Sequence, residues 1–135
     1  MQALLDANIF LEILLAQENA ESAKALLSQS AHHQFFITDY SLHSIGVLLF
    51  RMKKRETFSA FIEDVLINGG VRLLALRPDE MSQSAIFAEK FGLDFDDAYQ
   101  YTKASHYKLT LVSFDSDFRR TDSGCKTPAE ILREI

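Results

Sequence analysis

The sequence predicts a three-layer α/β/α sandwich around a central parallel sheet of four to five strands. Three observations predict it. Short apolar runs alternate along the chain with longer stretches of helical periodicity. Helices placed between strands imply parallel pairing with right-handed crossovers. The 135 residues, 47% hydrophobic and 24% charged, suffice for one core and not two, so residues 1–135 read as a single domain.

Each element has its own local reason. Gln2 to Leu5 is a short apolar run that stops at Asp6, the pattern of a buried strand. Ile9–Ala16 and Ala20–Ser30 read as helices, the second with Ala20, Ala23, Leu26 and Leu27 at helical spacing. Gln34–Asp39, "QFFITD", is a second strand because its centre is aromatic or β-branched. A helix from about Tyr40 carries Leu42, Ile45, Leu48 and Leu49 on one face, with Asp39 as its expected N-cap. Glu56–Gly69 is another helix, striped by Phe58, Phe61, Ile62, Val65 and Leu66 and stopped by Gly69 and Gly70.

Val71–Leu76, "VRLLAL", is the third strand. Pro78 opens a helix where its missing N–H does no harm, and Gly92 ends it after about Phe91. A helix from about Phe95 has Asp94 as its expected N-cap. Leu109–Phe114, "LTLVSF", is the fourth strand, Lys126 falls in a short fifth, and Pro128–Ile135 is a terminal helix.

Bulk properties narrow the function. The net charge of -5 argues against a nucleic-acid coat or a membrane-surface protein. It leaves room for an enzyme that meets nucleic acid through a local basic patch. The lone Cys125 cannot form an internal disulfide, which fits a reducing cytoplasm. No apolar run approaches the ~18 residues of a membrane span, so no membrane partner is expected.

Two apolar runs at opposite ends of the chain each break into aspartates: "ALLDANIF" at Asp6, and "LTLVSFDSDFRR" at Asp115 and Asp117. Asp94, Asp96 and Asp97 begin the helix that feeds the fourth strand. In an open parallel sheet the functional crevice lies at the carboxyl ends of the strands. If the first and fourth strands are neighbours, all three groups meet there. Carboxylates gathered within ~5 Å repel, and one is driven toward protonation unless a cation joins them. No matching cluster of His and Cys accompanies them, so zinc does not fit. Hard oxygen donors suit Mg²⁺ or Mn²⁺, which can activate water and steady a phosphodiester during in-line displacement.

"LLDANIFLEILL" and "GLDFDDAYQYTKASHYKLTLVSFDSDF" resemble the first and last acidic motifs of the PIN domain family, small ribonucleases that include VapC-like toxins of bacterial toxin–antitoxin pairs. By this resemblance Asp6 matches the first metal-binding acid, Asp97 the third and Asp115 the fourth, and Asn8 a small polar residue supporting the site. The chain departs from the pattern once. The family usually carries a glutamate early in the helix after the second strand; here "TDYSLHSIGVLL" brings that position to or near Ser44. The second ligand is then absent, replaced by Asp39, or replaced by a water held by Ser44 or His43. Asp117 reads either as a further ligand or as the cap of the turn before Phe118.

Arg119 and Arg120, beside the acids, and Lys53, Lys54 and Arg55 of "RMKKR" are the candidate contacts to substrate phosphates. The function expected is a metal-dependent endoribonuclease cleaving single-stranded RNA, with a cognate antitoxin and a homodimeric state implied by the resemblance. The alternative is a degenerate module of the same fold that binds RNA or a protein without cleaving it.

Overall fold

The computed structural model describes residues 1–134. Strands β1 (Gln2–Leu5), β2 (Gln34–Thr38), β3 (Arg72–Leu74) and β4 (Thr110–Val112) form a four-stranded sheet in the order β3-β2-β1-β4. Every pairing is parallel. Leu4 pairs with Phe36 on one side and Leu111 on the other, and Leu5 pairs with Val112. This register brings the carboxyl ends of β1 and β4 level. The Asp6 N–H extends the pairing by donating to the Val112 carbonyl at 2.9 Å.

The helices are α1 (Ala7–Leu14), α2 (Ala20–Leu27), α3 (Asp39–Arg51), α4 (Arg55–Phe61), α5 (Pro78–Phe91), α6 (Phe95–Tyr107) and α7 (Pro128–Glu134). Alternation along β1 divides the core. Ala3 and Leu5 join Ile9, Phe10, Leu26, Ile45, Leu49 and Ile131 on one face. Leu4 joins Leu93, Ala98, Tyr101, Leu111 and Phe118 on the other. The sheet is thus buried on both faces, with α5 and α6 on one side, as the three-layer reading requires.

Several boundaries differ from expectation. The helix expected over Glu56–Gly69 divides into α4 and a π-helical segment, Ile62–Ile67. Its close is tight, because a Cβ on Gly69 would lie 2.4 Å from the Asp64 carbonyl oxygen. Lys126 forms an isolated parallel bridge to Val112 rather than a fifth strand. Thr38, not Asp39, caps α3: its hydroxyl accepts from the Ser41 N–H at 3.1 Å, and Asp39 is already helical. Ile135, the end of the expected terminal helix, lies outside the described residues. Among the described residues no helix is long and apolar enough to cross a membrane.

Candidate metal and nuclease site

Asp6 leaves the end of β1 as the N-cap of α1, accepting from the Ala7 N–H at 2.7 Å. Its Oδ1 also accepts from Gln100 Nε2 at 2.8 Å, and its Oδ2 from Ser113 Oγ at 2.7 Å and Asn8 Nδ2 at 3.3 Å. Asn8 braces the segment after β4 as well: its Nδ2 donates to Ser113 Oγ, and its Oδ1 accepts from the Phe114 N–H. Burial pushes the Asp6 carboxyl above its ordinary pKa, against the lowering effect of Gln100, Ser113 and Ala7; Asp115 adds to the rise.

Asp97 stands in the first turn of α6, only 8% exposed. Its carboxylate accepts no hydrogen bond from the described residues. Carboxylate oxygens of Asp97, Asp115 and Asp117 lie within 4.8 Å of one another. Burial, followed by the charges of Asp96, Asp115, Asp6 and Asp117, pushes Asp97 up to about 7. Asp115 follows β4 and caps a short 3₁₀ turn, Ser116–Arg120, by accepting from the Asp117 N–H at 2.9 Å. The cap of this turn is therefore Asp115 and not Asp117, which leaves the half-exposed Asp117 carboxylate turned to the cluster.

The donor set fits a hard divalent cation. It is all oxygen, it is crowded, and its most buried member lacks any donor to balance its charge. Among the described residues Arg120 forms an ion pair with it: its Nη2 lies 3.7 Å from Asp117 Oδ1 and donates to the Gly92 carbonyl at 2.9 Å.

The other sequence-derived candidates are distributed unevenly. Asp39 accepts from the Tyr99 hydroxyl at 2.6 Å, and that hydroxyl accepts in turn from the Leu76 N–H. This bond ties α3 to α6 and uses Asp39 outside the cluster. Burial and the Asp39 hydrogen bond push the Tyr99 phenol up to about 12, so it remains a donor at neutral pH. Tyr99→Phe should lower stability by about 1–2 kcal/mol, as read in urea unfolding, because the Leu76 N–H loses its acceptor.

His43 is exposed and lines an apolar surface hollow with Leu42, Gly46, Val47, Phe50 and Phe58, and Ser44 is half-buried. Neither makes a side-chain hydrogen bond to the described residues. Arg119 is engaged by Glu130 of α7 at 2.8 Å. Lys53, Lys54 and Arg55 are exposed beyond the far end of α3, about 20 Å of helix away from Asp39.

Ser41, Gln100 and Ser113 were not anticipated. Gln100 follows Asp97 by three positions, so both lie on one face of α6. That spacing was the available signal. Ser41 and Ser113 give none until the strands are paired.

The chain belongs to the PIN domain family, whose model matches residues 3–124. Comparison with the curated protein sequences gives no match. Solved structures share the fold. VapBC2 from Rickettsia felis, bound to a DNA fragment from its promoter, is 16% identical with a TM-score of 0.75, covering 93% of this chain and 97% of that one. VapC20 from Mycobacterium tuberculosis, described as a sarcin–ricin loop cleaving toxin, is 17% identical with a TM-score of 0.71, over 87% and 92% of the two chains. FitAcB from Neisseria gonorrhoeae is 22% identical with a TM-score of 0.68, over 96% and 99%.

Proposed function

We propose that this protein is a metal-dependent endoribonuclease acting on single-stranded RNA in the cytoplasm, the toxin of a toxin–antitoxin pair and a homodimer. The observation that carries the chemistry is the buried Asp97, without a hydrogen-bond donor, facing Asp115 and Asp117 within 4.8 Å. Membership of the PIN family and the toxin–antitoxin character of the similar structures support the biological role.

Asp97, Asp115 and Asp117 would hold Mg²⁺ or Mn²⁺, with Asp6 as the adjoining fixed anion. Such an ion, when bound, supplies charge neutralisation at phosphorus and activation of water. The chain's own residues do the rest. Asn8 and Ser113 hold β1 and β4 at a constant separation beneath the acids. Arg120, anchored to the Gly92 carbonyl, offers its remaining donors to a phosphate oxygen. Lys53, Lys54 and Arg55, at their distance, would meet the RNA backbone well away from the scissile bond.

A fluorescently labelled single-stranded RNA with Mn²⁺ tests this reading. Wild type should cleave and EDTA should stop it. Asp115→Asn, which removes a ligand, should reduce the rate by more than about a hundredfold, and Asp6→Asn, which removes the adjoining anion, by about 10- to 100-fold. Full activity in both variants would refute the assignment.

A second reading is favoured by α3, whose side chain bonded toward the acids is Ser41 and not a carboxylate. On it the protein binds RNA or a protein partner without turnover. Manganese binding without cleavage, with cleavage gained by Ser44→Glu, is its signature.

A further inference from the structure

Asp6 is the most heavily bonded carboxylate of the site. A carboxylate offers about four lone-pair positions. Ala7 N and Gln100 Nε2 occupy those of Oδ1, and Ser113 Oγ and Asn8 Nδ2 those of Oδ2. Three of these donors come from α1 itself or from Ser113, just after β4. The fourth comes from α6, and it connects α3 to the site: Ser41 Oγ donates to Gln100 Oε1 at 3.1 Å, and Gln100 Nε2 donates to Asp6 Oδ1 at 2.8 Å. Ser41, Gln100 and Asp6 are 1%, 3% and 8% exposed, so no water competes freely for these bonds.

The direction of this relay is determined by chemistry. An ionised Asp6 can only accept, so the amide nitrogen of Gln100 must face it. The amide oxygen then faces Ser41, whose hydroxyl proton turns to meet it. The neighbouring charges of Asp97 and Asp115 would favour an Asp6 rotamer turned away from them. A glutamate on α3 would add to that repulsion, whereas an amide opposes it without adding charge.

We propose that Gln100, oriented by Ser41, is a positioning residue that fixes the Asp6 carboxylate beside Asp97 and Asp115, on the side of the site where α3 brings no carboxylate. This rests on the reading of the acidic cluster as a divalent-cation site. Gln100 touches neither ion nor substrate in this role. It acts through Asp6, and the length of its side chain matters as much as its amide.

Two measurements on the purified full chain test it. The first needs no metal. In nitrogen-edited NMR spectra the Gln100 side-chain NH₂ should exchange slowly with solvent, and Asp6→Asn and Ser41→Ala should each shift its signals. The second is calorimetric titration with MnCl₂. Gln100→Leu should weaken Mn²⁺ binding about 10-fold, the lower range for disturbing a group outside the ligands, because Asp6 would no longer hold its charge beside them. Ser41→Ala, a smaller change that keeps Gln100, should weaken it less and guards against a Gln100→Leu variant that fails to fold.

Wild-type affinity in both variants, with a Gln100 amide indifferent to Ser41→Ala, overturns the proposal while leaving the nuclease reading intact. Manganese binding that depends on Gln100 in a protein that cleaves no RNA upholds the proposal and removes the nuclease reading. Absence of any manganese binding by wild type overturns both.

Discussion

Asp97→Asn is expected to make the metal-free protein more stable and, in the same molecule, to abolish manganese-dependent cleavage. The two effects share one cause. In the unfolded chain an aspartate titrates near 3.9, whereas in the fold burial and four neighbouring aspartates push Asp97 up to about 7. Between about pH 4 and pH 7 the native state therefore keeps a proton that the unfolded state has lost. The contribution of Asp97 to stability is complete below about pH 4 and is lost as the pH rises through about 7. Asp6, also raised, acts in the same direction.

Asparagine removes that slope. At pH 8 without metal the gain should be about 1–2 kcal/mol, after allowing for solvent screening on the open side of the cluster. That corresponds to a Tm higher by about 5 °C. Added Mn²⁺ should raise the Tm of wild type and leave the variant unmoved, because a ligand stabilises only the state that binds it. Calorimetric scans at pH 5 and pH 8, with and without the ion, read all of this. A variant melting at the wild-type temperature at pH 8 and still gaining from Mn²⁺ would remove Asp97 from the site.

The largest loss of stability is expected from Glu80→Gln, away from the acids. Glu80, on α5, is 4% exposed and Lys103, on α6, is 1% exposed. Their ion pair is 3.1 Å long, His106 Nδ1 lies 2.8 Å from the second carboxylate oxygen, and the Arg77 N–H donates to the first at 2.9 Å. The Lys103 ammonium also lies 4.1 Å from the centre of the Tyr107 ring. Burial alone would raise the Glu80 pKa, but the Arg77 N–H, His106 and Lys103 together hold it down at about 2.

Glutamine would leave Lys103 buried without a countercharge. Breaking such a pair from one side costs about 3–5 kcal/mol, whereas replacing both members with well-packed neutral residues is close to neutral. Glu80→Gln should therefore fall in urea unfolding by about that amount, and Glu80→Gln with Lys103→Met should recover most of it. A single variant within 1 kcal/mol of wild type would show that this pair does not secure α6 on α5. The pH response is opposite to that of Asp97. A depressed carboxylate contributes stability above its unfolded value of about 4.5 and loses it as the pH falls toward about 2. Metal-free wild type should accordingly be most stable near pH 4–5, between the two windows.

Much of the fold was legible because it follows from local pattern. Phe35 to Thr38 read as a strand from their side-chain shapes, Pro78 and Gly92 bracket α5, and the apolar runs ending on Asp6 and before Asp115 marked the carboxyl edge of the sheet. The second half of the Glu56–Gly69 segment was not legible, since its apolar stripe suits an α-helix and a π-helical turn equally well. The N-cap of α3 was misplaced by one residue because Thr38 and Asp39 are both good caps, and only the buried turn of the chain selects Thr38.

The candidate site divides in the same way. Asp6, Asp97 and Asp115 could be nominated from one chain because each acid adjoins an apolar run or a helix start, and the family match over residues 3–124 agrees with the motifs that held them. The use of Asp39 by Tyr99, the diversion of Arg119 to Glu130, and the relay from Ser41 through Gln100 to Asp6 were decided by tertiary structure. The reason is physical. Burial and backbone periodicity act over a few neighbouring residues and leave a trace in sequence. A hydrogen bond between side chains 59 or 94 positions apart depends on strand register and helix rotation, which no local pattern records.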